Sequence, residues 1–228
     1  MAVTLDGPRL PPAAGGAPKQ LVVFLHGYGA DGKDLIGLGR EWARALPNAA
    51  FVSPNAPEAC GMAPMGRQWF NLTFRDPNEI ARGVTKAGPV LEAFLDGELK
   101  RLALPSRALA LVGFSQGTML ALAVGLKRHP APAAIVGYSG ALATAEALPT
   151  NPGAAPAVLL VHGDMDEVIP LDAMLIAREQ LAQGGLPVEW HVAQGIGHGI
   201  DGEGLRLGGA FLKQAFAGST SPQAFSGN

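Results

Sequence analysis

The chain has 228 residues, enough for one α/β domain or two small ones, and its 48% hydrophobic content is ample for a sizeable core. Its 17 basic and 19 acidic residues give a net charge of −2 with no basic run, which argues against nucleic acid and anionic membrane surfaces as partners. The single cysteine, Cys60, excludes an internal disulfide and, without clustered partners, a structural zinc site.

The first fifty residues predict an edge element followed by buried strands. Residues 1–18 are predicted to form an N-terminal strand and loop. Pro11–Pro18 has loop composition, so Val3–Leu10 is an edge strand or a hairpin arm at most. The first ten residues lack the basic start and apolar core of a signal peptide, so we expect no export and a cytoplasmic protein. The next predicted elements are a strand at Leu21–Leu25, a glycine-rich turn at His26–Gly32, a helix to about residue 46 and a strand at Ala49–Ser53.

No period is visible between Pro54 and Asn78, which predicts a long loop, and loops of this length in compact domains are usually functional. This loop carries four large apolar side chains, Met62, Met65, Trp69 and Phe70. They either roof the core or line an apolar pocket, and the sequence favours neither reading.

The stretch Arg107–Leu126 is a short apolar run, a Gly-Phe-Ser-Gln-Gly turn and a second apolar run. It predicts a strand, a sharp turn at Ser115 and a helix, the context of a nucleophile elbow. A transmembrane helix is an alternative for so apolar a stretch, but the polar residues and glycines in its middle argue against it. A chance match is the other alternative, since the chain has 31 glycines.

Strands and helices alternate along the rest of the chain. A helix is predicted around Leu91–Leu102, and Pro89 should lie near the start of this helix or kink it. Strands then follow at Ala133–Tyr138, Ala157–His162 and Val188–Val192, helices after Pro170 and at Leu205–Phe216, and a frayed tail at 218–228. No linker divides the chain, so we expect a single α/β domain over residues 1–228, with helices on both faces of a mostly parallel sheet.

Serine is a poor nucleophile unless a positioned base takes its proton and a third group orients that base. Among the five histidines, His198 lies in a glycine-rich loop after the last strand, where ligand-contacting groups gather in open α/β sheets. The acid should also follow a strand, which leaves Asp164 and Asp166. The order Ser115, Asp166, His198 then reproduces the Ser, Asp, His order of α/β-hydrolases.

Negative charge develops on the substrate carbonyl oxygen when the serine attacks, so two backbone N–H groups should point at it. One belongs to Gln116, the residue after the nucleophile, and the other comes from the first glycine-rich turn, at Tyr28.

Five motifs in order resemble the phospholipase/carboxylesterase family of small α/β-hydrolases over about residues 20 to 216. The motifs are Leu25–Gly29, Gln68–Phe70, Gly113–Gly117, His162–Pro170 and Gly197–Gly199. The resemblance implies Asp166 rather than Asp164 as the acid, and a loop at 54–78 that borders the acyl groove with Trp69 and Phe70. Thr118 departs from the pattern, because many relatives have a second glycine there.

The sequence and the resemblance together predict a serine hydrolase that cleaves carboxylic esters of small to medium acyl groups through an acyl-enzyme. An acyl-thioesterase or a lysophospholipase with the same triad is the alternative, and a catalytically silent scaffold that only binds a ligand is a third. We expect no cofactor and no metal, since no histidine and carboxylate cluster has metal-ligand spacing. The expected partner is a small-molecule ester, without nucleic acid or stable membrane insertion; relatives often dimerise, but no feature here identifies an interface.

Overall fold

A seven-stranded sheet organises the fold in the computed structural model, which describes residues 4–73, 76, 78–143 and 155–218. The elements are β1 Arg9–Leu10, β2 Gln20–Leu25, α1 Gly32–Trp42, β3 Ala49–Val52, β4 Glu58–Ala59, β5 Arg67–Gln68, α2 Glu79–Leu102, β6 Leu109–Phe114, α3 Gln116–Gly125, β7 Ala134–Tyr138, β8 Ala157–Gly163, α4 Leu171–Gln183, β9 Val188–Ala193 and α5 Gly202–Phe216. The strand order in the sheet is β1-β3-β2-β6-β7-β8-β9, and all neighbours are parallel except the edge strand β1, which pairs antiparallel with β3. The predicted α/β-hydrolase fold is confirmed.

Alternate residues of the central strands feed two separate cores. In β2, Val23 packs with helices α2, α3 and α4 on one face, whereas Phe24 packs with Trp42 of α1 and Phe211 of α5 on the other. Strands buried on both faces read as continuous apolar runs, which is why β2, β6 and β8 stand out in the sequence. The edge strand β9 is mostly only half buried, and its Trp190 is exposed.

The apolar stretch that a membrane helix would need is broken at Ser115 into β6 and α3. None of the helices in the described part of the chain is both long and apolar enough to cross a bilayer.

Thr118 in α3 fits because its neighbours on β7 and beyond lack side chains. Its hydroxyl donates to the carbonyl oxygen of Tyr138 at 2.8 Å. A Cβ at Gly137 would lie 2.6 Å from the Thr118 methyl group, and one at Gly140 would overlap the Thr118 side chain. The departure from the family pattern at this position is therefore accommodated by Gly137 and Gly140.

The segment predicted as a structureless loop holds more structure than expected. Residues 58–59 and 67–68 pair as a small antiparallel hairpin, β4–β5. Helix α2 begins at Glu79, so Pro89 lies well inside it and not near its start, which corrects that part of the prediction. Residues 144–154, between the predicted strands at Ala133–Tyr138 and Ala157–His162, and residues 219–228 of the predicted tail lie outside the described residues.

Candidate active site

Ser115 occupies the turn between β6 and α3 with φ 53° and ψ −115°, a conformation that side-chain-bearing residues rarely adopt. Its backbone N–H donates to the Tyr138 carbonyl at 2.9 Å. A Cβ at Gly117 would overlap the Leu25 carbonyl oxygen, and one at Gly113 would overlap the backbone of Gly117. Both glycines therefore let α3 start directly against β2 and β6, as the elbow interpretation predicts.

Asp166, in the loop after β8, is the carboxylate that pairs with His198. Its Oδ2 lies 2.7 Å from His198 Nδ1. Asp164 has another partner: its carboxylate accepts the backbone N–H of Gly195 at 2.6 Å and so holds the loop that carries His198. The geometry separates the two aspartates, which the residues alone do not.

Asp166 is buried and saturated with donors. Burial disfavours its charged form, but hydrogen bonds from His198 and from the backbone N–H groups of Ile169 and Val168 outweigh it, so the pKa of Asp166 lies below its ordinary value. His162, a buried residue of β8, adds a further contact. Its Nε2 lies 3.2 Å from Asp166 Oδ2 and 2.7 Å from the Ile169 carbonyl oxygen. Asp166 therefore stays ionised between two imidazole rings.

The His198 ring packs against Phe114, the residue before Ser115, with ring centroids 4.9 Å apart. Among the described contacts, no hydrogen bond joins the Ser115 hydroxyl to His198, a bond that often tightens only when substrate is bound. Base and nucleophile thus share one corner of the sheet, beyond the carboxyl ends of β6, β8 and β9.

The glycine-rich turn after β2 lies against the nucleophile. A Cβ at Gly27 would be 3.1 Å from the Phe114 ring and 3.5 Å from the Ser115 Cβ. In the described residues, the backbone N–H groups of Tyr28 and Gln116 donate to no protein acceptor, so both remain available to an incoming oxygen. The His26 ring, which is buried, accepts the Ala56 N–H on Nε2 at 3.0 Å, and burial lowers the pKa of His26.

The four apolar residues of the long loop divide into two pairs. Trp69 and Phe70 are 2% exposed and belong to the core, whereas Met62 and Met65 are 82% and 94% exposed on the hairpin tip. Trp69 and Phe70 therefore present no open wall to a substrate in this structure, and their assignment as substrate-binding residues stays a prediction. They pack beneath the site because Trp69 also finds a buried partner for its indole N–H.

A cleft of about 490 Å³ lies between the hairpin and the turn after β2. Met65 lines it together with Ala63 and Pro64, and two carboxylates, Asp31 and Asp34, stand on the other side. None of the triad residues lines this cleft, so the assignment of Met62 and Met65 as substrate-binding residues stays a prediction. A larger cavity of about 830 Å³ lies between β9 and α5 and also includes none of the triad residues.

Sequence reasoning missed two features of the site. His162 contacts the acid, and the only sequence signal is its spacing of four residues from Asp166, in a His-Gly-Asp-Met-Asp run. The Gln116 side chain binds the backbone of Trp69 and Phe70 at 2.9 and 2.8 Å, a contact over more than 45 residues that no local pattern indicates.

This combination of elbow serine, histidine–aspartate pair and doubly covered parallel sheet defines a serine hydrolase of the α/β-hydrolase class. Residues 13–215 match the model of the phospholipase/carboxylesterase family, and the chain belongs to that family. The membership expected from the five motifs is confirmed.

Individual relatives agree with this assignment. Esterase YpfH of Escherichia coli (strain K12) is 29% identical, over 92% of this chain and 88% of that protein. Acyl-protein thioesterase 1 of Gibberella zeae is 26% identical, over 85% of this chain and 89% of that protein. The crystal structure of esterase PE8 superposes with a TM-score of 0.87 at 41% identity and covers 93% of this chain and 100% of that one.

Proposed function

We propose that this protein is a carboxylesterase that cleaves esters of small to medium acyl groups through an acyl-enzyme on Ser115. The observation that carries the proposal is the Asp166–His198 pair, joined at 2.7 Å. The His198 ring lies against Phe114, the residue that precedes Ser115, and Ser115 is held at φ 53°. Family membership and the similarity to esterases YpfH and PE8 support the same reaction.

In the acylation step, the Ser115 hydroxyl oxygen attacks the ester carbonyl carbon while its proton passes to Nε2 of His198. Asp166 accepts the His198 Nδ1–H bond and stabilises the imidazolium that forms. The carbonyl oxygen becomes negative and is stabilised by the N–H groups of Tyr28 and Gln116. The C–O bond to the alcohol then breaks, and His198 returns the proton to the leaving oxygen.

Deacylation repeats the sequence with water as the nucleophile. His198 takes a proton from water, the resulting hydroxyl attacks the acyl carbon, and the same two N–H groups bind the second oxyanion. Collapse releases the carboxylic acid and returns the proton to Ser115. Every proton has a donor and an acceptor among Ser115, His198 and water, so the mechanism needs no metal or organic cofactor.

An acyl-thioesterase is the second candidate, because two acyl-protein thioesterases are among the relatives. The triad serves an ester and a thioester alike, so only the leaving group distinguishes the two activities. A panel of p-nitrophenyl esters of graded acyl length beside an acyl-thioester and a lysophospholipid ranks the three substrates by kcat/KM.

The test of the nucleophile is Ser115→Ala, which should abolish both ester hydrolysis and labelling by a fluorophosphonate while leaving the fold intact. Ser53→Ala is the matched control, because Ser53 is also buried and follows another parallel strand of the same sheet, β3. It should label like the wild-type protein. Retention of near-wild-type hydrolysis by Ser115→Ala would refute the proposed mechanism and favour a scaffold without catalysis.

A cytoplasmic location remains part of this proposal. The single thiol, Cys60, is buried and reduced, which is compatible with a reducing compartment. Fractionation of cells with fluorophosphonate labelling of each fraction tests the location. Dimerisation also stays a prediction, and sedimentation of the purified protein tests it.

A further inference from the structure

Residues 67–70 contact both sides of the proposed oxyanion hole. This segment runs from β5 into the buried pair Trp69 and Phe70, beneath the turn that carries Tyr28. It meets the turn after β2 on one side and the start of α3 on the other. The two N–H donors belong to chain segments almost ninety positions apart, and this third segment bridges them.

On the Tyr28 side, three hydrogen bonds join the segment to the turn. The Trp69 indole N–H donates to the His26 carbonyl at 3.0 Å. The Gly29 N–H donates to the Arg67 carbonyl at 2.9 Å, and the Arg67 N–H donates to the Ala30 carbonyl at 2.7 Å. The peptide units 26–27 and 28–29, which flank the unit that carries the Tyr28 N–H, are thereby held.

On the Gln116 side, two further bonds involve a side chain with no exposure to solvent. Gln116 Oε1 accepts the Trp69 backbone N–H at 2.9 Å, and Gln116 Nε2 donates to the Phe70 carbonyl at 2.8 Å. Both polar ends of the amide are used, so the residue is held in one orientation. A residue so constrained keeps its own backbone N–H in a fixed direction.

We propose that Trp69 is a positioning residue that sets the two oxyanion donors relative to each other, and that the Gln116 side chain completes the same frame. Oxyanion stabilisation depends on donors that are already oriented before charge develops, since reorientation during the reaction would cost free energy. With 2% of its surface exposed, Trp69 acts through the two donors and not through contact with the substrate. This inference rests on the proposed function, because it presupposes an oxyanion formed at Ser115.

The test compares two tryptophans. Trp69→Phe keeps an aromatic ring and removes the N–H that binds His26. The matched control is Trp42→Phe: Trp42 is 3% exposed, and its indole N–H donates at 2.9 Å to the Leu205 carbonyl in the core on the other face of the sheet. The two variants lose the same kind of buried hydrogen bond and should lower the melting temperature by similar amounts.

Of the two tryptophan variants, only Trp69→Phe should lower kcat, by about tenfold or more, while its KM stays within about twofold of wild type. Loss of an entire oxyanion donor lowers kcat by about 10²–10³-fold, and misorientation of a donor lowers it by less. Its inhibition constant for a trifluoromethyl ketone, which forms a tetrahedral adduct on the serine, should weaken by a similar factor. Trp42→Phe should leave kcat and this constant within about twofold of wild type. Gln116→Met removes both hydrogen bonds of the Gln116 side-chain amide and should also lower kcat, while KM stays unchanged.

Two outcomes overturn the inference. If kcat of Trp69→Phe falls no further than that of Trp42→Phe, Trp69 is a core residue only. If KM rises while kcat is kept, it acts on substrate binding instead. If Trp69→Phe does not fold, the kcat of Gln116→Met is compared with that of Trp42→Phe instead, and an equal kcat overturns the inference. Loss of fluorophosphonate labelling in Ser115→Ala, measured alongside, separates failure of this inference from failure of the proposed function.

Discussion

Asp166 accepts hydrogen bonds from His198 and from two backbone N–H groups, and His162 stands on its other side. Such a carboxylate orients the base and stabilises its charged form, and the donors that lower its pKa also keep it ionised. Its neighbour Asp164 has the same charge but bonds only to a loop backbone in the described structure. The two residues therefore offer a direct comparison between an orienting acid and a supporting one.

Asp166→Asn should lower kcat/KM by about 10³–10⁴, because the amide favours the wrong tautomer of His198. Asp164→Asn should cost about tenfold or less, since it weakens one support of the His198 loop. Initial rates on a p-nitrophenyl ester measure both. Should the Asp164 variant be the one that loses orders of magnitude, the acid has been assigned to the wrong residue.

The charge of Asp34 should affect the choice of substrate. It lines the cleft beside the turn after β2, and burial raises the pKa of Asp34, whereas Asp31 in the same cleft is engaged in capping α1. A nearby carboxylate disfavours anionic substrates. Asp34→Asn should therefore raise kcat/KM for a hemisuccinate ester several-fold and leave a butyrate ester unchanged. An equal effect on both esters would show that Asp34 acts through stability instead.

Substitution by alanine should change the stability of the protein in opposite directions at two glycines of helix α2. A Cβ at Gly97 would meet nothing within 4 Å, whereas one at Gly83 would overlap the buried Phe70 ring. Gly97→Ala should stabilise the protein by about 0.5–1 kcal/mol, because alanine loses less entropy in a helix. Gly83→Ala should destabilise it by about 1–3 kcal/mol through overpacking. Urea unfolding of both variants checks the signs, and a stabilising Gly83→Ala would contradict the packing described for Phe70.

The hairpin β4–β5 should control acyl length through its tip and not through its base. Each substrate methylene that Met65 covers adds about 0.8 kcal/mol of binding. Met65→Ala should therefore lower kcat/KM for longer acyl esters and spare acetate, whereas Trp69→Ala should lower all of them together and also reduce the melting temperature. A series from acetate to decanoate measures both patterns. A chain-length shift in Trp69→Ala alone would restore Trp69 as a groove wall.

Much of the fold could be predicted because its buried parallel strands are continuous apolar runs, and the elbow could be located because its glycines flank Ser115. The hairpin could not, since its strands are two residues long and show no period. The burial of Trp69 was equally hidden, because its partner is a carbonyl 43 positions away. The choice between Asp164 and Asp166 needs either the family resemblance or the distance to His198 in the structure, since both residues follow the same strand.

Glu98 joins distant parts of the chain. This buried carboxylate of α2 accepts hydrogen bonds from Arg9 of β1 at 2.9 Å and Arg101 of its own helix at 2.6 Å. Burial opposes its charge, but the two guanidinium groups outweigh burial and lower the pKa of Glu98. The edge strand is thus fastened to a helix through an ionised side chain.

A lowered pKa makes this contribution depend on pH. It is fully present above the unfolded value of about 4.3 and is lost as pH falls through the lower folded value. Glu98→Gln should therefore lower the melting temperature at pH 7, and the gap to wild type should shrink below about pH 4.3. Asp6→Asn, at an exposed carboxylate bonded to the same Arg9, is the control and should change little. A gap that stays constant down to pH 3 would show that Glu98 acts without its charge.

The short hairpin between β3 and α2 has one further consequence, for laboratory evolution of this enzyme. Its tip at residues 63–66 borders the cleft, and residues 67–70 bind the two segments that carry the proposed oxyanion donors. If the proposed roles hold, substrate selectivity and kcat depend on eight consecutive residues, which random mutagenesis changes together. Libraries that vary residues 61–65 and leave residues 66–70 unchanged should yield variants with altered substrate ranges and a wild-type kcat. Libraries that vary the whole segment should yield mostly variants with a lowered kcat.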